Sequence, residues 1–189
     1  MFLRADIEAP ILVSGPITLR QPKFEDYPLW HAVKQRDRKW LQPMQPRWRE
    51  DHLEKESYQR RVSLFARQAR RGEGFVFHLF AAPDDRFVGF CQLAPVQYGA
   101  SQSGTVGYWV AQPEWGQGFG THAVTALAHL AFSSLGLARL EAHCLPHNLA
   151  SARVLQKVGF LQEGHLRHFL EIDGERQDHL LYAKLAETT

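Results

Sequence analysis

The chain has 189 residues, of which 44% are hydrophobic and 22% charged, and its formal net charge at pH 7 is +2. This length suits a single domain with a substantial core, and the composition excludes wholesale disorder. Apolar runs fall short of the ~20 residues of a membrane helix, and the N-terminus lacks the basic-then-apolar order of a secretory signal. We expect a cytoplasmic protein with an N-terminal extension at 1–16, one domain at 17–189 and no membrane segment.

Hydrophobic periodicity and turn residues predict eleven elements in the order β α α β β β α β α β β. Between the first two helices, "KWLQPMQPRW" holds two prolines and two tryptophans, which indicates an ordered apolar loop. Asp173-Gly174 predicts a tight hairpin near the end of the chain. The predicted strands are 17–22, 75–82, 87–96, 103–110, 138–145, 164–172 and 175–185, and the predicted helices are 24–36, 50–71, 121–135 and 150–158.

This order predicts a mixed α/β (α+β) fold, with about seven strands in one sheet and four helices on its faces. Charge is distributed unevenly along it, because residues 34–71 hold twelve Lys and Arg against five Asp and Glu. Such a basic segment can face an acidic partner, including RNA, or can be the solvated surface of helices. No specific nucleic acid is predicted.

Three glycines at alternate positions, Gly116, Gly118 and Gly120, precede the helix predicted at 121–135. Exposed backbone N–H groups at the positive end of a helix form an anion site, and the Thr121 hydroxyl can cap the helix or contact a phosphate. A tight glycine turn without a ligand is the alternative. A P-loop is excluded because no Gly-Lys-Ser/Thr follows the glycines.

A dinucleotide site is the other reading of these glycines. Gly118-x-Gly120-x-x-Ala123 formally fits that fingerprint, and Glu141 lies about 20 residues further on, where a ribose-binding acid is found. However, three consecutive strands precede the loop and a hairpin ends the chain, whereas a Rossmann fold continues with βα units. An NAD-binding module therefore stays only as an alternative.

The chain resembles the GCN5-related N-acetyltransferases (GNAT), and within them the ribosomal-protein alanine N-acetyltransferases of the RimJ type. The resemblance rests on "GYWVAQPEWGQGFGTHA", "LEAHCLPHNLASARVLQKVGF" and "EGHLRHFLEIDGERQDHLLYAKL" and spans about 17–185. It implies a mixed, mostly antiparallel sheet in which the fourth strand splays from the fifth. The resulting V-shaped cleft would take acetyl-CoA as the co-substrate.

The resemblance also implies roles for individual residues. Trp109 and Val110 would pair their backbone with the pantetheine arm. The phosphate signature falls on 115–120, where Trp115 replaces the usual Gln or Arg and so weakens any role for that side chain. Asn148 would position CoA or a water, or serve only as a helix N-cap, and Ser151 would be the general acid or only a first-turn residue. The backbone contacts to phosphate would come from Gly116, Gln117, Gly118, Phe119, Gly120 and Thr121.

The proton balance of acetyl transfer favours one class of acceptor. A peptide α-amine has a pKa of about 7.7–8.0, against about 10.4 for a lysine side chain, so far more of it is neutral at pH 7. The sequence shows no obvious dedicated base, although Glu171 could act through water or could simply face solvent. An α-amine acceptor, which can lose its proton to water, is therefore favoured over a lysine.

The cysteines and histidines do not predict a metal site, because no spacing resembles that of zinc ligands. Cys91 and Cys144 are interpreted as buried, reduced thiols. His122 and His129 are expected on the outer face of the 121–135 helix. Three further residues, Trp40, Met44 and Trp48, line the substrate entrance or simply pack.

These observations lead to one functional prediction. The chain is expected to be an acetyl-CoA-dependent N-acetyltransferase acting on a protein N-terminal α-amine, for instance that of a ribosomal protein, with the basic 34–71 segment engaging the target. The alternatives are a small-molecule amine acceptor, such as an antibiotic or a polyamine, and a non-catalytic acyl-CoA-binding sensor. Either a monomer or a homodimer is compatible with the sequence.

Overall fold

The computed structural model describes residues 9–187, which form one eight-stranded sheet in the order β1-β2-β3-β4-β5-β6-β8-β7. All neighbouring strands are antiparallel except β5 and β6, which are parallel. The strands are β1 (Leu12–Ser14), β2 (Ile17–Arg20), β3 (Phe75–Ala81), β4 (Arg86–Gln97), β5 (Ser103–Val110), β6 (Arg139–Cys144), β7 (Leu161–Ile172) and β8 (Glu175–Leu185).

Five α-helices cover the two faces of this sheet. The fourth helix continues as a π-helical turn at Leu130–Ser134, and short 3-10 turns occur at Phe24–Asp26, Gln42–Met44 and Gln112–Glu114. No helix within residues 9–187 is long and apolar enough to span a bilayer. The helices are α1 (Tyr27–Arg36), α2 (Arg38–Leu41), α3 (Lys55–Arg70), α4 (Phe119–His129) and α5 (Leu149–Lys157).

Two hydrophobic clusters hold the helices against the sheet. The larger one joins α4 and α5, through residues such as Leu127 and Leu155, to β3, β5 and β6. The smaller one joins α1 and α3, through Trp30 and Tyr58, to Phe80 and Phe87. Because successive side chains of a strand point to opposite faces, both surfaces of the central strands are covered. This explains why all of β3 is buried and why it is apolar except for His78, which hydrogen-bonds Asp26.

The parallel pair β5–β6 opens partway along its length. Pairing runs from Ser103–Arg139 to Val106–Ala142 and ends there in the described chain. Beyond that point β5 stays paired with β4 as far as Val110, and β6 stays paired with β8. The two strands therefore diverge toward their carboxyl ends. The predicted V-shaped cleft is confirmed, between the fourth and fifth of the predicted strands.

Two elements differ from the sequence prediction of seven strands and four helices. The additional strand, β1, lies in the segment interpreted as an N-terminal extension, of which 1–8 fall outside the described residues. It pairs with β2 across a tight turn in which Gly15 has φ +53°. At three residues, β1 is too short to show a periodic pattern. His122 and His129 were both expected on the outer face of the 121–135 helix. His129 is exposed, but His122 is half-buried beneath Gly15 of this turn and hydrogen-bonds Ser14 Oγ.

The second difference is α2, since "KWLQPMQPRW" was predicted to contain no helix. A helical turn starts at Asp37, whose carbonyl oxygen accepts from the N–H groups of Trp40 and Leu41 at 2.9 and 3.0 Å. The Asp37 carboxylate accepts from the Gln112 N–H at 2.8 Å and so holds this corner to the end of β5. Tertiary contact therefore stabilises a turn that Pro43 and Pro46 prevent from growing into a longer helix.

Candidate active site at the splayed strands

A cavity of about 550 Å³ fills the opening between β5 and β6. Its floor is formed by the diverging strands, and its walls by the glycine loop with the start of α4, by α5, and by the segment that follows α1. Among its lining residues are Trp40, Met44, Gln45, Tyr108, Trp109, Val110, Glu114, Gly116, Gly118, Phe119, Gly120, Thr121, His143, Cys144, Asn148, Ser151, Arg153, Lys157 and His179.

The free edge of β5 presents backbone groups to this cavity. Ala111 donates its N–H to Val88 O of β4 at 2.8 Å, so by alternation the backbone groups of Val110 point away from β4 and toward the splay. The Val110 carbonyl accepts a hydrogen bond from Trp115 Nε1 at 2.9 Å. Trp109 instead pairs with Phe90 of β4 and stacks on its ring. Trp109 thus contributes mainly its side chain to the site.

The glycine loop has the conformation that an anion site needs. Gly116 and Gly118 adopt φ values of +82° and +80°, and Gly118 is the N-cap of α4. The first N–H groups of a helix have no intrahelical acceptor, and the helix dipole makes them attractive to anions. Gly120 lies in the first turn of α4, and a Cβ there would lie 3.5 Å from the Tyr108 ring, in ordinary van der Waals contact. The phosphate role of this loop stays a prediction.

A pair of hydroxyl groups joins β5 to α5 at the base of the cavity. Tyr108 Oη lies 3.0 Å from Ser151 Oγ and 3.3 Å from the Ser151 carbonyl oxygen. Asn148 caps α5 by accepting the Ser151 N–H at 3.1 Å, which fixes the start of the helix. The Ser151 side chain also lies near the Cys144 thiol, whose pKa it lowers against the effect of burial. Sequence reasoning identified Ser151 and Asn148 but missed Tyr108.

Burial controls the protonation of these groups. Burial raises the pKa of Tyr108 to about 12, only partly offset by its bond to Ser151, so its hydroxyl stays protonated at neutral pH. The pKa of the Cys144 thiol is also raised by burial. The hydroxyl groups of Tyr108 and Ser151 are therefore neutral and able to donate a proton, and the Cys144 thiol beside them is un-ionised.

The 37–48 segment, which contains α2, forms the opposite wall and is tied to the β7–β8 hairpin turn. Gln42 Nε2 donates to Asp173 Oδ1 at 2.9 Å, and the Asp173 N–H donates to Gln45 O at 2.9 Å. Arg47 donates to the Asp173 carbonyl at 3.0 Å. The hairpin turn thus holds in place the segment that forms this wall of the cavity.

A buried lysine lies behind this wall. Lys34 is only 3% exposed and donates from Nζ to Gln45 Oε1 at 2.8 Å. Its ammonium lies 4.1 Å from the Trp48 ring and 5.2 Å from the Trp109 ring. Burial, reinforced by the charge of Arg61, lowers the pKa of Lys34 to about 7.

Two histidines enter the cavity from β6 and β8. His179 is buried, and His143 is half-buried with its ring 4.7 Å from that of Phe169. Burial lowers the pKa of His143. Across residues 9–187 no cluster of three or more His, Cys, Asp or Glu side chains is arranged to hold a metal ion.

Comparison with known proteins decides the family. Residues 17–161, most of the chain, match the family described as "Acetyltransferase (GNAT) domain". The chain belongs to the GNAT family. As a GNAT enzyme it is an N-acetyltransferase that uses acetyl-CoA, which confirms the activity and the co-substrate expected from the resemblance.

Curated relatives agree with this assignment. Over 136 residues the chain is 35% identical to the probable N-acetyltransferase YjcK of Bacillus subtilis, covering 72% of this chain and 75% of the relative. Over 147 residues it is 29% identical to the [ribosomal protein uS5]-alanine N-acetyltransferase of Escherichia coli, covering 78% and 76%.

Solved structures show the same fold. Mycobacterium smegmatis RimJ in complex with CoA-disulfide superposes with a TM-score of 0.85 at 34% identity, covering 94% of this chain and 86% of that one. The ribosomal-protein-S5-alanine acetyltransferase from Vibrio fischeri gives a TM-score of 0.87 at 24% identity, covering 94% and 97%.

Most residues predicted for the GNAT site line the cavity, and a few do not. Gln117 instead donates from Nε2 to Glu114 Oε2 at 2.9 Å. Trp48 is buried and stacks on His52, whereas Trp40 and Met44 do line the cavity. Glu171 is exposed, opposite Arg176 in the hairpin.

Proposed function

We propose that this GNAT enzyme acetylates the N-terminal α-amine of a protein, with a ribosomal protein as the first candidate. The proposal is supported by one relative with a ribosomal-protein name, the uS5-alanine N-acetyltransferase, and by the likeness to RimJ, the type that the sequence resembles. The main structural support for the proposal is the charge of the cavity lining. Glu114 is the one carboxylate among the described lining residues, and it is already bound by Arg86 at 3.1 Å through both oxygens.

This charge pattern disfavours a polyamine, which would need free carboxylates for its several ammonium groups. A peptide N-terminus brings one amine, and its pKa of about 7.7–8.0 leaves an appreciable neutral fraction at pH 7. The 37–48 segment, held by the hairpin turn at Asp173, forms one wall of this cavity through Trp40, Met44 and Gln45. The basic 34–71 segment flanks the cavity and would attract an acidic target.

We assign acetyl-CoA binding to the cleft between β5 and β6. The amides from Gly116 to Thr121 and the positive end of α4 would hold its phosphates. Arg153 and Lys157, which line the same cavity from α5, add positive charge. Val110 would offer its backbone N–H to the pantetheine arm, while its carbonyl is held by Trp115.

Acetyl-CoA supplies a thioester whose carbonyl carbon is attacked by the amine. We assign Ser151, backed by Tyr108, as the proton donor to the departing sulfur. Their hydrogen bond allows one hydroxyl to be reprotonated by the other. Asn148 positions Ser151 by capping α5, so its effect on the reaction is indirect.

The proposal is tested by measuring thiol release from acetyl-CoA with short peptides that carry a free N-terminal Ala or Ser. Matched peptides with a blocked N-terminus and an internal lysine are the controls. We expect turnover only with the free termini. Turnover with small amines but with no peptide would overturn the protein-acceptor assignment, and acetyl-CoA binding without any turnover would indicate a sensor.

A further inference from the structure

The side chain of His179 is held in one tautomer. Its Nδ1 lies 3.1 Å from the carbonyl oxygen of Gln177, and the residue is 3% exposed. A carbonyl oxygen can only accept, so Nδ1 carries the proton and donates it. In the neutral ring this leaves Nε2 with a free lone pair, which is the state a proton acceptor requires.

The neighbouring strand β7 is distorted where it packs on this ring. Its register with β8 shifts between Leu166 and Leu170, and His168 has φ +48°. The bulge is fixed by Asp178, whose carboxylate accepts from the His168 N–H at 2.9 Å. Phe169 then lies edge-on to His179, with ring centroids 5.8 Å apart. Bulges of this kind re-aim side chains beside active sites.

The sheet separates this histidine from the hydroxyl pair. His143 pairs with Leu181, so His143 and His179 share one face of the sheet. Cys144 points to the opposite face, where it meets Ser151. Because the cavity passes between the splayed strands, a thioester placed there would have the hydroxyl donors on one side and the histidines on the other.

Few other groups could take a proton here. Glu114 is bound by Arg86, and the Lys34 Nζ is bonded to Gln45 behind the wall. The titratable groups that share the face of β6 with His179 are His143, Glu141 and Arg139, and Arg139 is ion-paired with Glu141 at 2.8 Å. The 42–45 wall contributes Met44 and Gln45, and β7 contributes Phe169, none of which titrates.

We propose that His179 is the catalytic base that takes the proton from the acceptor ammonium, an inference that rests on the proposed function. Nε2 removes one proton, and the neutral nitrogen forms an N–C bond to the acetyl carbonyl carbon as the C–S bond breaks. The sulfur takes a proton from the Ser151–Tyr108 pair, and the second nitrogen proton returns to that pair. The proton on His179 passes to solvent, so the products are the N-acetyl amide, the CoA thiol and one proton.

The test compares wild type with His179→Asn, whose side-chain amide can still donate to Gln177 O but has no lone pair at the Nε2 position. We expect kcat/KM for a free N-terminal peptide to fall roughly 100-fold at pH 7. The acidic limb of the pH profile should move up to the pKa of the amine itself, about 7.7–8.0. For a peptide with an aminooxyacetyl terminus, which is neutral at pH 7 and needs no deprotonation, kcat/KM of the variant should fall little.

Three further measurements make the outcome decisive. Calorimetric titration with CoA should give the same affinity for both proteins, and ¹⁵N NMR of wild type should show His179 protonated at Nδ1. His147→Asn, at an exposed histidine on the turn after β6, is the matched control and should behave as wild type.

Each contrary result has a separate meaning. Protonation at Nε2, or a large loss with His143→Asn but none with His179→Asn, would overturn the assignment of the base while leaving the proposed function intact. A wild-type enzyme that binds acetyl-CoA but acetylates no free N-terminus would remove the proposed function, and the base assignment with it. If His179→Asn fails to fold, the base assignment is tested by the tautomer of wild-type His179 in the NMR spectrum and by the same assays on His179→Gln.

Discussion

The phenol of Tyr108 and the hydroxyl of Ser151 lie 3.0 Å apart, which joins the free edge of β5 to the first turn of α5. This contact crosses the cleft at the level where β5 and β6 have separated. It couples a strand residue whose pKa is raised by burial to a helix residue whose position is fixed by the Asn148 cap. The two side chains form one hydrogen-bonded pair of hydroxyl groups, to which we assign the proton donation.

If they act as a unit, their substitutions should not be additive. We expect Ser151→Ala and Tyr108→Phe each to lower kcat roughly 100-fold with little change in CoA affinity, and the double variant to be hardly worse than either single one. Steady-state kinetics and calorimetric binding check this. Tyr98→Phe, at a tyrosine that donates to Gly72 O, is the control. If the fold losses in kcat of the two single variants multiply in the double variant, Ser151 and Tyr108 act independently.

The glycine loop offers a test with a close internal match. Gly116 and Gly136 both have positive φ, +82° and +65°, and at both positions an added Cβ would meet open space. Alanine at either should therefore cost a similar ~1 kcal/mol of stability through backbone strain. Only Gly116→Ala should also weaken CoA binding, by about tenfold. Equal CoA affinity in both variants would argue against a phosphate role for this loop.

Lys34 should make stability depend on pH in a defined window. Its pKa is about 7 in the folded protein and about 10.4 when unfolded, so between these values the unfolded chain binds more protons. The free energy of unfolding of the wild type should then rise between about pH 7 and 10, and Lys34 contributes at most about 1.4 kcal/mol per pH unit to this rise. Below pH 7 Lys34 is protonated in both states and should contribute no pH dependence.

Lys34→Met isolates this effect. Chemical denaturation at pH 6 and pH 9 measures the free energy of unfolding of both proteins. The increase in the variant over the wild type should be largest at pH 6, where the wild-type ammonium is buried and charged. The rings of Trp48 and Trp109 favour the ammonium and reduce the gain. A difference between the two proteins that does not change with pH would refute the lowered pKa.

The tie between the 37–48 segment and the hairpin should affect the acceptor rather than the coenzyme. Arg47→Ala removes the donor to the Asp173 carbonyl and frees the space beside Gly174 that its guanidinium occupies. We expect a severalfold rise in KM for the peptide and unchanged CoA affinity. Arg49→Ala, at an exposed arginine immediately after this segment, is the matched control. A kcat loss at constant KM would contradict the positioning role.

The sequence predicted the elements with strong periodic signals and missed those that depend on contacts. The hairpin at Asp173-Gly174 and the helix over 150–158 follow from turn chemistry and an amphipathic pattern. The three-residue β1 and the single turn of α2 have no such signal. They exist because β2 offers an unpaired edge and because Asp37 reaches Gln112.

By itself the sequence determined the order of the seven longer strands and four longer helices, the glycine loop and the resemblance that points to acetyl-CoA, because these are local patterns of spacing and composition. Only the tertiary structure decided which side chains share the cavity. Tyr108 meets Ser151 across 43 positions of the chain, and His143 and His179 come together by the register of β6 with β8. Such pairings arise from strand register and helix packing, which no short segment encodes.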